Sequence, residues 1–402
     1  MRKVVLSSVG LVILLIVVTT AAVLFASGYR LTRENGKTFV EGTGVIVLTS
    51  KPDGARVYVN GHLTTATDNT INLQPGSYDV KIEKDGYFSW NKKILVKQSE
   101  VSQANAFLFP NTPKLDPLTT TGATNATVDD TNTLIAYTVT SAQPRRNGIY
   151  LMNMSSRPIL PIGGLSTQLT DNTIIDFTNA KLSFSPDGDQ LLASVSAEFG
   201  TAYYLINTNT FNETPQDVTN TITQVQTEWE QARLAEQTRQ VRTLHKNLQP
   251  FFNEHFTNPK FSPENDKILY TASGSGTLKL IKNPPLKGVN STPETRTIED
   301  NNVYVYDIKE DRNYLIWDTP DQESTESARP EFTWHPNSRH LVYLDHGKIN
   351  IMEFDGQNKT TLYAGPFFED FVTVWPDGSN IAILTNLTAP MAPYNLYKIS
   401  LK

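Results

Sequence analysis

Leu182-Ser183-Phe184-Ser185-Pro186-Asp187-Gly188-Asp189-Gln190-Leu191-Leu192-Ala193 is the stretch that decides the fold. An apolar strand ends at Phe184, a Ser-Pro-Asp-Gly turn reverses the chain, and a second apolar strand returns from Leu191. Proline presets φ, aspartate bonds its own backbone, and glycine accepts the left-handed position. Weaker copies read Phe261-Ser262-Pro263-Glu264-Asn265, Trp334-His335-Pro336-Asn337-Ser338 and Val374-Trp375-Pro376-Asp377-Gly378. A degenerate copy, Thr127-Val128-Asp129-Asp130, lacks the proline. Each is followed by an apolar return strand and then by a third strand, as at Tyr150–Met152, Tyr204–Ile206, Val303–Val305, Ile349–Ile351 and Leu396–Lys398. Fourth strands are expected near Leu160 and near Leu315-Ile316-Trp317. Four antiparallel strands repeated radially predict a β-propeller, because one such unit cannot bury both of its faces alone.

This repeat resembles that of the TolB family of periplasmic propellers, which implies a TolB-like propeller over residues 113–402. About five blades fit the length, and six are also compatible with it. The last repeat stops at its third strand, so closure should borrow a fourth from the segment around Lys114 to Thr120. The prolines are unevenly spaced, and the first long gap holds a helical pattern at about 221–248. Ile222, Val225, Trp229 and Ala232, then Val241, Leu244 and Leu248, recur at three- and four-residue steps. A strut across the propeller rim is the preferred reading of this helix over a docking surface for a partner helix. A Pro-rich loop, Asn283-Pro284-Pro285 to Asp300, fills the second gap.

Residues 28–112 alternate short strands with tight turns. Asn35-Gly36 and Asn60-Gly61 are type I′ hairpin signals. Strand parity puts Phe88, Trp90, Ile94 and Val96 on one face, which favours a core role for Trp90 over a sugar platform. Tyr58 and Tyr87 escape that argument. The turn Pro52-Asp53-Gly54-Ala55, with Val57–Gly61, Leu73–Tyr78 and Lys84-Asp85-Gly86-Tyr87 before Trp90, resembles the PEGA domain. Asp stands where the family's name-giving turn has Glu. The resemblance implies a small β-sandwich of prokaryotic envelope proteins.

Val4 to Ala26 is uncharged and apolar behind Arg2 and Lys3. A helix of that length reaches across a ~30 Å hydrocarbon core, so residues 1–27 are expected to form a transmembrane anchor. Arg2 and Lys3 then mark the cytoplasmic side, with the bulk of the chain extracytoplasmic. A cleaved signal peptide, at Ala26-Ser27-Gly28 or Thr20-Ala21-Ala22, is the competing reading, but its apolar region is usually shorter.

The chain is mainly β, with net charge −6 among 402 residues and no basic run outside the N-terminus, which argues against nucleic acid. Cysteine is absent, so disulfides, thiolate nucleophiles and lipidated cysteines are excluded. His62, His245, His255, His335, His340 and His346 form no zinc-helix motif, and no Gly-x-Ser-x-Gly elbow occurs. One carboxylate per turn falls short of a calcium shell. Glu369-Asp370 and Asp129-Asp130 are adjacent in loops, which does not place them across a substrate. No catalytic, cofactor-binding or metal-binding residue is assigned, and no cofactor is expected. The expected function is that of a single-pass, membrane-anchored binding or scaffold protein, not an enzyme, presenting its propeller to an envelope protein or a cell-wall or surface polysaccharide. The alternative is an envelope hydrolase with its active site in the propeller channel. A sensor is disfavoured because only three residues precede the anchor.

Overall fold

The computed structural model describes residues 2–26, 29–34, 37–140, 143–155, 166–197, 200–319, 330–387 and 393–402. It divides into two compact units. The first holds Met1–Phe109, Lys282–Arg296 and Lys309–Tyr314; the second holds Pro110–Ile281, Thr297–Ile308 and Leu315–Lys402.

The first unit opens with α1 (Arg2–Ala26) and a hairpin of β1 (Tyr29–Glu34) and β2 (Lys37–Gly42). Asn35 and Gly36, the expected turn, lie outside the described residues. Side chains of α1 are described over Gly10–Val23, a rise of about 21 Å. Among the described residues no helix is long and apolar enough to cross a membrane, so the expected span finds no support there. The remaining strands are β3 (Gly44–Lys51), β4 (Arg56–Val59), β5 (His62–Ala66), β6 (Asn69–Leu73), β7 (Gly76–Glu83), β8 (Trp90–Val96) and β9 (Val101–Phe107). They form a sandwich of two sheets, β6-β3-β9 and β5-β4-β7-β8, with β3 and β9 parallel.

Alternation builds the sandwich core: Ile46 and Leu48 from β3 meet Val57, Val80, Ile82, Trp90 and Ile94 from the other sheet. Trp90 is buried at 3 % exposure, as strand parity requires, while Tyr87 packs half-buried against the same core. Asn60 and Gly61 both take positive φ (49° and 81°), so the two-residue turn joining β4 to β5 is the type I′ reversal their identities demand. Lys282–Arg296 belongs to this unit. Ser291 Oγ accepts the Leu95 amide at 3.0 Å, satisfying a donor on edge strand β8. Gly288 lies so close to β9 that an added Cβ would stand 2.4 Å from the Val101 carbonyl oxygen.

Among the described residues the second unit holds five four-stranded antiparallel sheets, except that Arg312–Tyr314 of one strand is assigned to the first unit. One strand, β10 (Leu115–Pro117), precedes them. The first sheet is β11 (Thr124–Val128), β12 (Leu134–Val139), β13 (Gly148–Asn153) and β14 (Ser166–Asp171). Its expected fourth strand near Leu160 lies outside the described residues, and β14 takes that place. The second sheet is β15 (Lys181–Phe184), β16 (Gln190–Ala197), β17 (Gly200–Asn207) and β18 (Gln216–Asp217). Two helices follow, α2 (Ile222–Thr243) and α3 (Gln249–His255). The third sheet joins β19 (Phe256–Phe261) and β20 (Lys267–Ala272) to two later strands. Between them runs a two-stranded pair, β21 (Gly276–Thr277) with β22 (Thr297–Ile298). Those later strands are β23 (Val303–Asp307) and β24 (Arg312–Trp317). The fourth sheet is β25 (Phe332–Trp334), β26 (His340–Asp345), β27 (Lys348–Glu353) and β28 (Thr360–Tyr363). The fifth is β29 (Val372–Val374), β30 (Asn380–Thr385) and β31 (Asn395–Ser400), completed by β10, which pairs Leu115 with Ile399.

Neighbouring sheets pack through their faces. One core cluster joins Ile135 and Tyr137 of the first sheet to Ala382, Leu384 and Leu396 of the fifth. A second joins Ala136 and Ile149 of the first to Phe184, Leu191 and Ile206 of the second. Trp334 Nε1 donates to the Lys260 carbonyl at 2.9 Å between the fourth and third sheets. The five turns linking first and second strands share one geometry. The amides of Asp129, Ser185, Ser262, His335 and Trp375 each donate to the carbonyl five residues on, at 2.8–3.1 Å. Asn132, Gly188, Asn265, Ser338 and Gly378, three residues on from those donors, all take positive φ. The proline-free copy keeps the fold because Asp129 Oδ1 accepts the Leu134 amide at 2.6 Å, the bond Ser185 Oγ makes to the Gln190 amide at 2.9 Å.

Gly378 carries a second constraint, since an added Cβ would stand 2.5 Å from His335 Cε1, whereas at Gly188 the nearest atom is 3.6 Å away. Both Gly188→Ala and Gly378→Ala are expected to cost about 1–2 kcal/mol for the left-handed backbone. Gly378→Ala should cost roughly 1 kcal/mol more for overpacking. Equal midpoints in chemical denaturation would refute the difference.

The inserted helix departs from expectation. It ends at Thr243, and Leu244 and Leu248 leave the helical stripe to pack with Phe252, Phe256 and Ile268 in the third-sheet core. No residue of α2 is fully buried; Ile222, Val225, Trp229 and Val241 are half-buried. Arg233 pins it, pairing with Asp130 at 3.2 Å and donating to the Phe184 carbonyl at 3.1 Å. Because those groups belong to the first and second sheets, α2 braces two neighbouring blades.

Candidate functional site

Among the described residues, solvent-open clefts lie between neighbouring sheets, three of which carry polar side chains at their walls. The first, about 390 Å³, separates the first and second sheets and is lined by Asn153, Gln168, Asp187, Asp189, Asn209 and Phe211 among others. Turn residues build it, from the second sheet's Ser-Pro-Asp-Gly reversal and the loop after β17. Ser185 Oγ donates to Asp187 Oδ1 at 2.6 Å, which holds that carboxyl below its usual range. Asn209 Nδ2 donates to Asp189 Oδ1 at 3.2 Å.

The second cleft, about 420 Å³, lies between the third and fourth sheets. Its walls carry Asn258, Lys260 and Glu331 around Leu269, Val303 and Phe332. Lys260 Nζ donates to Glu331 Oε1 at 3.0 Å and to the Phe332 carbonyl at 3.1 Å, so the ammonium is already engaged. The third, about 90 Å³, brings Glu331, Glu369 and Asp370 together with Thr333 and Tyr343 between the fourth and fifth sheets. Burial pushes the Tyr343 hydroxyl above its ordinary range.

None of the described histidines lines these clefts. His335 is 2 % exposed and latches two sheets: its Nε2–H donates to the Gly378 carbonyl at 3.1 Å, while Nδ1 accepts the Asn337 amide at 3.3 Å. His340 is also buried, with Nδ1 3.0 Å from Asn337 Nδ2. His245 Nδ1 accepts the Asn247 amide, and the His255 ring lies against Phe251 at a 45° tilt with centroids 4.4 Å apart. His62 is in edge strand β5, and His346 is exposed beside Asp345. Among the described residues no group of three or more His, Cys, Asp or Glu could hold a metal ion. Glu369 and Asp370 do line one cavity, whereas Asp130 is engaged by Arg233 and Asp129 pins its own turn.

Burial lowers the affinity of His335 for a proton, ahead of the opposing bonds from Gly378 and Asn337. The unfolded chain takes up that proton near pH 6.5, so the folded state is favoured above about pH 6.5 and loses stability as pH falls below it. The expected slope is about 1.4 kcal/mol per pH unit, down to the depressed folded value. His335→Gln should flatten that part of the stability profile. An unchanged slope between pH 6.5 and 5 would show that another group is responsible.

Sequence reasoning did not single out Lys260, Glu331 or Phe211. A signal for Lys260 was present: Phe177-Thr178-Asn179-Ala180-Lys181 and Phe256-Thr257-Asn258-Pro259-Lys260 are a near-repeat leading into the first strands of two sheets. Nothing comparable marks Phe211.

Comparison with known proteins agrees in part with the sequence expectations. No curated protein matches the sequence. Among solved structures the chain is similar to TolB from Acinetobacter baumannii, at 13% identity and TM-score 0.24, over 80% of this chain and 59% of that one. It is similar to the β-propeller domain of the Trilobed protease from Pyrococcus furiosus, at 11% identity and TM-score 0.24, over 89% and 96% of the two chains. A putative TolB from Agrobacterium tumefaciens is similar at 12% identity and TM-score 0.20, over 87% and 99%. Likeness at this level carries no argument about function, and the propeller rests on its five sheets. Residues 43–111 match the PEGA domain family.

Proposed function

We propose that this chain is a single-pass, membrane-anchored, extracytoplasmic binding or scaffold protein of a prokaryotic envelope. The observation that carries the binding reading is the set of five four-stranded sheets, which leaves solvent-open clefts between neighbours, the first of them lined in part by short polar turns. Such a surface suits recognition of a protein or a polysaccharide. The anchor reading is supported by the composition of α1. Leu11 to Val18 are each 54–60 % exposed, so apolar side chains cover the helix on every side. The PEGA match adds the envelope context. Photo-crosslinking in the native membrane, with recovery of the bound species, tests the reading. Recovery of lipid alone would overturn partner binding, and a propeller accessible only from the cytoplasm would overturn the topology.

A second reading, an envelope hydrolase, rests on the meeting of Glu331, Glu369 and Asp370 at one cavity. Hydrolysis of an envelope glycan that is lost in Glu369→Gln with binding retained would favour it over the scaffold.

A further inference from the structure

We propose that the cleft between the first and second sheets is a saccharide site, taking an uncharged, polyhydroxylated ring. The proposal rests on the binding reading above and names its ligand class. The cleft's volume of about 390 Å³ suits a small-ligand site. Phe211 stands at its wall with 48 % of its surface exposed, although a phenylalanine gains by being buried. A flat aromatic face of this kind accepts the C–H face of a pyranose, since its negative quadrupole meets weakly positive hydrogens.

The polar lining is arranged for hydroxyl groups. Asp187 uses Oδ1 to accept both the Ser185 hydroxyl (2.6 Å) and the Asp189 amide (3.1 Å). Asp189 uses Oδ1 to accept Asn209 Nδ2 (3.2 Å). Each carboxylate is thus fixed through one oxygen, and both residues are exposed, leaving Oδ2 to accept from a ligand. Asn209 and Thr210 add groups able to donate as well as accept. Among the described residues no Lys, Arg or His lines the cleft, so a phosphate or carboxylate ligand would meet only like charge from them. An ammonium ligand would satisfy the carboxylates but offer no acceptor to the amide donors. A hydroxylated ring supplies donors, acceptors and an apolar face together. The fourth sheet's turn has Asn337 and Arg339 where this one has Asp187 and Asp189, and the fifth has Asp377 and Ser379, so paired acids are not general to the turns, although the third keeps Glu264 and Asp266.

The test uses the full chain in a sugar-free detergent, because maltoside head groups would compete. Maltotetraose, cellotetraose and chitotetraose are titrated calorimetrically, with a lysine-rich peptide as a fourth probe. At least one oligosaccharide should bind with a Kd of roughly 0.1–1 mM. Phe211→Ala and Asp189→Asn should each weaken it about tenfold, with unchanged melting, since both side chains are exposed. Binding by no oligosaccharide, equal binding to both variants, or binding of the peptide alone would overturn the proposal. Protein recovered by crosslinking without oligosaccharide binding sinks this site and leaves the scaffold reading standing. Oligosaccharide binding lost in the variants, with only lipid crosslinked in the membrane, does the reverse.

Discussion

A chain in which Lys114–Thr119 is replaced by glycines at equal length is expected to lose on the order of 3–5 kcal/mol, from the bonds of the Thr119 hydroxyl at about 1 kcal/mol each, the burial of Leu118 and the added chain entropy of glycine. That segment is sewn to β31. The Ser400 amide donates to the Lys114 carbonyl at 2.8 Å, the Leu118 amide to the Leu396 carbonyl at 2.7 Å, and the Leu396 amide to Thr119 Oγ1 at 2.9 Å. Thr119 Oγ1 also donates to Asn395 Oδ1 at 3.1 Å. Leu118 packs on the cluster where the fifth sheet meets the first, so the loss falls on the seam between those two sheets. Such a closure joins residues far apart in sequence, and its entropic cost is already met once the other sheets have formed. Hydrogen exchange should therefore speed up first in β30 and β31, not uniformly. Unchanged melting, or uniform acceleration across all five sheets, would contradict this role.

That seam was readable in the chain itself, because the fifth repeat ends one strand short. So was the turn geometry. Five copies at constant register implied a common reversal, and the structure shows why the proline is dispensable: Asp129, Ser185 and Ser262 each hold the turn through a side-chain oxygen. Trp90 was legible from parity alone. The end of the inserted helix was not, since Leu244 and Leu248 continue a helical spacing and only burial against Phe252 and Ile268 breaks the run. Nor was the place of Lys282–Arg296 in the first unit. Its attachment depends on Ser291 and on an approach to the Val101 carbonyl that Gly288 permits, features without periodicity. The clefts were hidden for the same reason. Asp187 and Asp189 read as turn residues, and Phe211 reads as a stray aromatic, until separate loops of one sheet bring them to one wall.

Lys267 opens β20 opposite Asp307 at the end of β23, and its ammonium is the cation for two carboxylates, Asp266 at 2.7 Å and Asp307 at 3.8 Å. It also lies 4.8 Å over the ring of Phe354, which follows the third strand of the fourth sheet. Lys267 and Asp307 side chains are only 7% and 4% exposed. Desolvation makes such a pair a poor source of net stability, but removing one partner leaves the other charge buried. Lys267→Met keeps most of the packing volume and is expected to cost about 3–5 kcal/mol, chiefly through Asp307. Adding Asp307→Asn neutralises that charge while keeping a side chain that can still accept hydrogen bonds. The double variant should therefore regain most of the loss, giving a coupling energy of about 3 kcal/mol, the upper end for residues in contact, in a double-mutant cycle. If the two losses simply add, Asp307 is held by its other bonds, and the ammonium serves the seam between the third and fourth sheets through Phe354 instead. Phe354→Leu separates the two cases: it should cost no more than about 1.5 kcal/mol if charge pairing dominates, as for a hydrophobic swap of similar size.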